Sequence, residues 1–132
     1  LESEEAIIVF PEGIRGASKV YRKRYQLQRF GNGFMHLAID HHTPIIPVGI
    51  VGCEETIPAL GHVRWLAKLT GLPYVPVTFP FVLPAKVILN FGKPMMFGQA
   101  GSEPEITANV ERVKSAIDAL IAKGLNERKS IF

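Results

Sequence analysis

Apolar and polar positions along this chain fall into blocks whose period changes, and the changes mark its elements. Ala6 to Phe10 are five uncharged positions rich in β-branched types, which predicts a strand buried on both faces. Pro11 cannot donate to a ladder and holds Phe10 extended, so the strand is expected to end there. From Asn32 to His42 the period lengthens. Phe30, Phe34, Leu37, Ala38 and His41 recur at helical spacing, Asn32 is a candidate N-cap, and Thr43-Pro44 closes the helix. Residues 45–51 return to a buried-strand pattern broken by Pro47, which implies a bulge or an edge facing a ligand. Gly52-Cys53-Glu54-Glu55 then turns into a short helix reaching about Ala59, with both glutamates in its first turn.

A second short helix carrying Trp65 is expected over His62–Thr70. Between Lys68 and Lys86 lie 17 uncharged residues interrupted by Pro73, Pro76, Pro80 and Pro84, too short and too broken for a spanning helix. This segment reads either as a loop packed over the sheet or as an apolar surface, flanked by Trp65 and Tyr74, that touches lipid or lines an acyl groove. Lys86 to Phe91 predicts a third strand with Val87, Leu89 and Phe91 on one face, followed by a Gly92-Lys93-Pro94 turn. Ser102-Glu103-Pro104-Glu105 is a capping box. The closing helix runs to about Arg128 on a stripe of Ile106, Val110, Val113, Ile117, Leu120, Ile121 and Leu125, and Gly124 is expected to fray its last turn. The fold class that results is α/β, a small mixed β-sheet flanked by helices, with residues 1–132 as one domain. A first strand this apolar is expected to be central, so its neighbour is expected upstream of Leu1 and the domain to be incomplete at its N-terminal side.

Composition narrows the function classes. A chain of 132 residues buries roughly two thirds of its unfolded surface, and 47% hydrophobic with 20% charged residues is globular. The single cysteine, Cys53, excludes an internal disulfide, fits a reducing compartment and is expected to act as a small buried hydrophobe. No metal site is expected. Cys53 lacks a partner at zinc spacing, and His41-His42 beside Asp40 point apart on a helix. The acidic opening Leu1–Glu5 does not resemble the basic start of a secretory leader. The net charge of +3 is modest, but six basic residues (Arg15, Lys19, Arg22, Lys23, Arg24, Arg29) and no acid lie between Gly13 and Ile39. Such a block makes a local field that attracts anions. Nucleic acid is not the expected partner, because no helix-turn-helix or zinc-finger pattern and few interleaved aromatics accompany the charge.

The turn after the first strand concentrates the candidate chemistry. Pro11 fits the second position of a type I turn with Gly13 at the fourth. Glu12 and Arg15 are thereby presented at the carboxyl end of a strand, where open α/β sheets keep their ligand crevice. An arginine fork there suits bidentate recognition of phosphate, and Gly13 and Gly16 let backbone N–H groups approach the same anion. A plain surface turn with a Glu–Arg pair is the alternative. Phe10-Pro11-Glu12-Gly13-x-Arg15 closely resembles the Phe-Pro-Glu-Gly-Thr-Arg-Ser signature of the glycerolipid acyltransferases of the lysophosphatidic-acid (1-acylglycerol-3-phosphate) type. Ile45-Ile46-Pro47-Val48-Gly49-Ile50 is similar to a second block of that family, at family-like spacing. The resemblance covers residues 5 to 60 well and the remainder loosely.

In the family, the matching Glu, Gly and Arg help bind the glycerol phosphate acceptor. The resemblance therefore implies substrate-binding roles for Glu12, Gly13, Arg15 and Gly16, with Lys19 from the basic block and Pro47 from the block beside the acyl-donor pocket. Ile14 and Gly16 depart from the usual Thr and Ser, which removes two hydroxyls and puts the head group in question. The family's catalytic pair is a His followed five positions later by an Asp, the general base and its orienting partner. Five positions beyond His36, His41, His42 and His62 lie His41, Ile46, Pro47 and Ala67, so the pair is absent here and expected upstream of Leu1. His36 with Asp40, one helical turn apart, is expected to form a local hydrogen bond only.

The resemblance implies a membrane-associated enzyme of phospholipid biosynthesis, on the cytoplasmic face of a membrane. It would transfer a fatty acyl group from acyl-CoA or acyl-carrier protein to a lysophospholipid or glycerol-phosphate-like hydroxyl, with no other cofactor, and these 132 residues alone are expected to be inactive. The competing class is a non-catalytic domain that binds anionic lipid or phosphate through the basic loop 15–29 and the apolar segment 69–85.

Overall fold

The computed structural model describes residues 5–17, 19, 21–57, 59–62, 68–71, 76–78, 81–99 and 102–128. Their elements are helix α1 (Ile14–Ala17), a 3-10 turn (Tyr21–Lys23), α2 (Gly33–Asp40), β1 (Val48–Val51), α3 (Cys53–Thr56), β2 (Ala59–His62), β3 (Pro76–Thr78), β4 (Ile88–Phe91) and α4 (Glu103–Glu127). Residues 68–70 are also helical.

The first strand expected from the sequence does not form. Residues 5–10 have no regular structure, and Ile8 and Phe10 are 83% and 75% exposed. Among the described residues no strand runs beside them to take their backbone groups, and an apolar pattern without a ladder partner does not make a strand. The turn that follows does form: the Gly13 N–H donates to the Phe10 carbonyl at 2.9 Å, and Gly13 has φ +55°.

Helix α2 starts after Asn32 as expected, without a side-chain cap, and ends in a Schellman motif. Thr43 N–H donates to Ala38 O and His42 N–H to Ile39 O, with His42 left-handed at φ +48° where glycine is usual. The buried face is Met35, Ala38 and Ile39, while Leu37 and His41 of the expected stripe are exposed. Phe30 and Ala38 of that stripe are buried as expected, and Met35 and Ile39 join them because they reach the core that α4 and the connecting loops supply. That core joins Phe30, Met35, Ile39, Phe97, Ile106, Val110 and Val113.

β1 and β4 pair antiparallel, Val48 opposite Phe91 and Val51 opposite Ile88. An isolated bridge, Ile45 to Met95, lies beyond Pro47. Two residues separate Ile45 from Val48 but three separate Phe91 from Met95, so the expected irregularity at Pro47 is a one-residue slip carried by residues 92–94. β2 and β3 form a second antiparallel pair with a register irregularity. α3 stops at Thr56, short of the expected Ala59, where β2 begins. β2 overlaps the helix expected over His62–Thr70 at His62, residues 68–70 are helical as expected, and β3 lies inside the segment expected to be a loop. Trp65 and Tyr74 lie outside the described residues. Every described strand pair is antiparallel, so helices and strands combine as in an α/β protein but no mixed sheet is found among them.

Val87, Leu89 and Phe91 share one face of β4 as expected, and it is the face turned away from the helix. Val87, Leu89 and Phe91 are 40%, 53% and 69% exposed, whereas Ile88 and Asn90 are half-buried. Asn90 Nδ2 donates to the Leu120 carbonyl of α4 at 3.2 Å, and that bond selects the polar residue for the helix side. α4 keeps its capping box, with Glu105 accepting from the Ser102 N–H at 3.2 Å. It buries Ile106, Val110, Val113 and Ile121, and Leu125 is exposed at its far end. Gly124 does not fray the helix; it is buried, and a Cβ there would lie 2.7 Å from Asn90 Nδ2 and 2.9 Å from Val51 Cγ2.

Candidate functional site

The Pro11–Gly16 turn folds over its own glutamate. Glu12 Oε1 accepts from the Gln28 N–H at 2.6 Å, and Oε2 lies 3.3 Å from Lys19 Nζ. The Glu12 side chain also covers Gly16, where a Cβ would sit 2.8 Å from Glu12 Cβ and closer still to the carboxylate. The Pro11 carbonyl takes the Gly31 N–H at 3.0 Å, which ties the turn to the start of α2. Arg15, in the short α1, is exposed, and so are Arg22, Lys23 and Arg29 along the basic loop.

Lys19 and Arg24 are held by carboxylates of α3 and of the turn. Lys19 Nζ reaches Glu54 Oε1 at 2.8 Å and Glu12 at 3.3 Å, donates to the Gln26 carbonyl at 3.1 Å, and leaves its side chain 7% exposed. Arg24 Nε lies 3.6 Å from Glu55 Oε1 and stacks its guanidinium 4.3 Å from the Tyr21 ring centre. Thus Glu54 and Glu55 of α3 anchor the loop that carries the turn.

Glu55 is buried, and its Oε2 contacts the Arg128 guanidinium. Among the described residues that ion pair is the compensation Oε2 has for burial. Arg128 Nη1 also donates to the Tyr25 hydroxyl at 3.1 Å. Tyr25 sits at φ +64°, held at both ends: its N–H donates to Glu54 Oε2 at 2.8 Å, and its hydroxyl accepts from the Gly52 N–H at 3.0 Å. Burial pushes the Tyr25 phenol pKa up; the Gly52 N–H opposes this and the Glu55 carboxylate adds to it. Burial works against the charge of Arg128, but the hydrogen bond and charge of Glu55 leave its pKa raised.

Glu12, Gly13, Arg15, Gly16 and Lys19 are thus brought together around one turn. Pro47 lies elsewhere, buried at the approach to β1, its carbonyl accepting from the Gly92 N–H at 2.8 Å. His36 Nε2 lies 3.6 Å from Glu103 rather than bonded to Asp40, and Cys53 is exposed rather than buried. Among the described residues no three His, Cys, Asp or Glu side chains gather as a metal site, and no helix is long and apolar enough to cross a membrane.

Sequence reasoning missed Glu54, Glu55, Tyr25 and Arg128 as parts of this site. One signal was present: a basic block free of acid needs counter-charges, and after Asp40 the next acids in the chain are Glu54 and Glu55. Nothing local marked Arg128.

The family model described as Acyltransferase matches residues 1–51. An uncharacterized protein of Mycobacterium tuberculosis is 38% identical over 147 residues, covering 100% of this chain and 41% of that protein. Proteins named "DGAT1/2-independent enzyme synthesizing storage lipids" are 32% identical in Bos taurus and 31% in Homo sapiens, each covering 93% of this chain and 36% and 37% of their own length. The chain therefore spans about two fifths of the length of the curated relatives it matches. No solved structure matches. The Phe10–Arg15 turn lies inside the matched region, and together with the storage-lipid enzymes among the relatives this supports a glycerolipid acyltransferase family for the chain.

Proposed function

We propose that the full-length protein moves a fatty acyl group from a thioester, acyl-CoA or acyl-carrier protein, to the hydroxyl of a lysophospholipid or glycerol-phosphate-like acceptor, and that these residues supply the turn that holds the acceptor's anionic head. The observation that carries this reading is the division of labour at the turn. Glu12 is engaged inward with Lys19 and the Gln28 N–H, while Arg15 is exposed beside a loop whose Arg22, Lys23 and Arg29 are also exposed. A guanidinium so placed binds a phosphate through paired N–H donors, and the surrounding field draws the anion in. Glu12 serves the acceptor by shaping the turn. The acyl transfer itself needs the family's His-Asp pair, which this chain lacks. Ile14 and Gly16 remove two hydroxyls from the turn, and the bovine and human relatives are named for storage-lipid synthesis. A less polar head group is therefore part of this reading.

Exposed Ile7, Ile8, Phe10, Phe81 and Val82, together with the basic loop, support work at an anionic membrane surface, on its cytoplasmic side. Salt-sensitive sedimentation with anionic liposomes tests that placement. The activity test offers full-length protein a thioester with acceptors running from lysophosphatidic acid to diacylglycerol. Arg15→Ala should raise the KM for a phosphate-bearing acceptor roughly tenfold to hundredfold, the worth of a charged hydrogen-bonding group. Residues 1–132 alone should give no product. Absence of acyl transfer by the full-length protein, combined with salt-sensitive liposome binding, would favour the non-catalytic lipid-binding domain. Turnover indifferent to Arg15→Ala would remove the turn from acceptor binding.

A further inference from the structure

We infer that Arg128 is a positioning residue for the acceptor-binding turn, acting from the end of α4 through Glu55, Tyr25 and Glu54 on the loop that presents Arg15. This rests on the reading of the turn given above. The contacts form one connected path. Arg128 pairs with Glu55 and donates to Tyr25. The Tyr25 N–H and Lys19 Nζ take the two oxygens of Glu54. Lys19 continues to Glu12, and Glu12 to the Gln28 N–H and the space over Gly16. Both ends of the loop, residue 19 and residues 25–28, are therefore tied to the same pair of glutamates, Glu12 and Glu54.

Geometry rather than raw stability is what such a device supplies. A buried ion pair recovers little beyond the cost of desolvating its charges, but removing one partner strands the other. Here Arg128 and Glu55 keep their side chains only 5% exposed. The charge left short is Glu55, whose Oε2 would lose its partner while Oε1 keeps Arg24 of the loop at 3.6 Å. Tyr25 would lose one of the two donors to its hydroxyl while holding a left-handed backbone that is strained outside glycine. The loop's own 3-10 turn buries no residue. Strain released there passes along Lys19 and Glu12 to the turn, four residues from Arg15 at Lys19 and adjacent to it at Gly16.

The test uses the full-length protein with Arg128→Met, Arg128→Lys and Tyr25→Phe. Kinetics are measured separately for acceptor and thioester, and amide hydrogen exchange is followed at Tyr25 and Gln28, whose N–H groups bond Glu54 and Glu12. Arg128→Met should raise the acceptor KM about threefold to thirtyfold, the span of network couplings, with kcat and the thioester KM within about twofold. Exchange at Tyr25 and Gln28 should speed up while the middle of α4 stays protected. Arg128→Lys, which keeps the charge on Glu55, should recover most of the loss. Tyr25→Phe covers the case in which Arg128→Met does not fold, and should give the same split more weakly. Unchanged exchange at both amides overturns the inference, as does a fall in kcat with acceptor KM unmoved. If the unaltered protein transfers no acyl group, the proposed function fails, and the exchange data alone decide whether Arg128 holds the loop.

Discussion

Gly49 of β1 and Leu120 of α4 meet at backbone range. A Cβ on Gly49 would lie 2.6 Å from Leu120 Cβ and 2.8 Å from the Leu120 carbonyl carbon. Gly124, one helical turn on, presses on Val51 and Asn90 in the same way. A glycine on the sheet and a glycine on the helix thus let α4 lie flat enough for Asn90 to reach the Leu120 carbonyl. The helix ends at Arg128, so the packing of these glycines also sets where that guanidinium arrives at Glu55.

Gly49→Ala should accordingly destabilise the protein by about 1–3 kcal/mol, the usual cost of overpacking, read as a lower urea midpoint with an unchanged slope. Gly124→Ala should cost a similar amount. The double variant should cost less than the sum, because the first methyl already lifts the helix from the strand. Strict additivity would show that the two contacts are independent.

Gly16→Ser offers a second test, at a position where the resembling family carries serine. The added Cβ meets the Glu12 side chain. It should displace that carboxylate from the Gln28 N–H and destabilise by about 1–3 kcal/mol. In a Glu12→Ala background the same change should cost far less, a coupling that a double-mutant cycle in urea would measure. Equal cost in both backgrounds would mean that Gly16 is required for its backbone and not for the space Glu12 fills.

How much of this was legible in the chain differs by element. The Pro11–Gly13 turn, the α4 capping box and the α4 stripe were readable because each is set by residues within a few positions of one another. The strand over Ala6–Phe10 was misread because strand formation depends on a neighbouring ladder that no local pattern reports. Met35 and Asn90 went unmarked for a related reason: both are chosen by α4, far along the chain, and a polar Asn90 facing the helix runs against the usual rule, whereas Phe30 and Ala38 of the expected α2 stripe are buried. Of the site, the Glu12–Arg15 turn and the basic loop stood out in sequence. Its anchors did not, since Tyr25 and Arg128 are joined across a separation of 103 residues.

Burying a methionine with no exposed surface should make Met35 the point where α2 depends on the core. Met35→Ala should cost about 2–5 kcal/mol, whereas Leu37→Ala, on the exposed side of the same helix, should cost less than about 1 kcal/mol. Chemical denaturation of both variants measures the difference. A larger cost at Leu37 would restore the full stripe that the spacing of Phe30, Phe34, Leu37, Ala38 and His41 predicted.

The alkaline limb of stability should carry the mark of Tyr25. Its phenol faces Glu55 and Arg128, with Glu54 on its backbone and Arg24 beside it in the chain, and burial raises its pKa above the usual tyrosine value. Folding therefore favours the protonated phenol. That contribution is fully present below the unfolded tyrosine pKa of about 10 and is lost as pH rises through the higher folded value. Of the three tyrosines, one should ionise late in an ultraviolet titration, and Tyr25→Phe should abolish the late step. The same variant should flatten the fall in stability above pH ~10, while leaving the neutral-pH dependence unchanged. A late step that survives in Tyr25→Phe would detach the phenol from the Glu55–Arg128 pair.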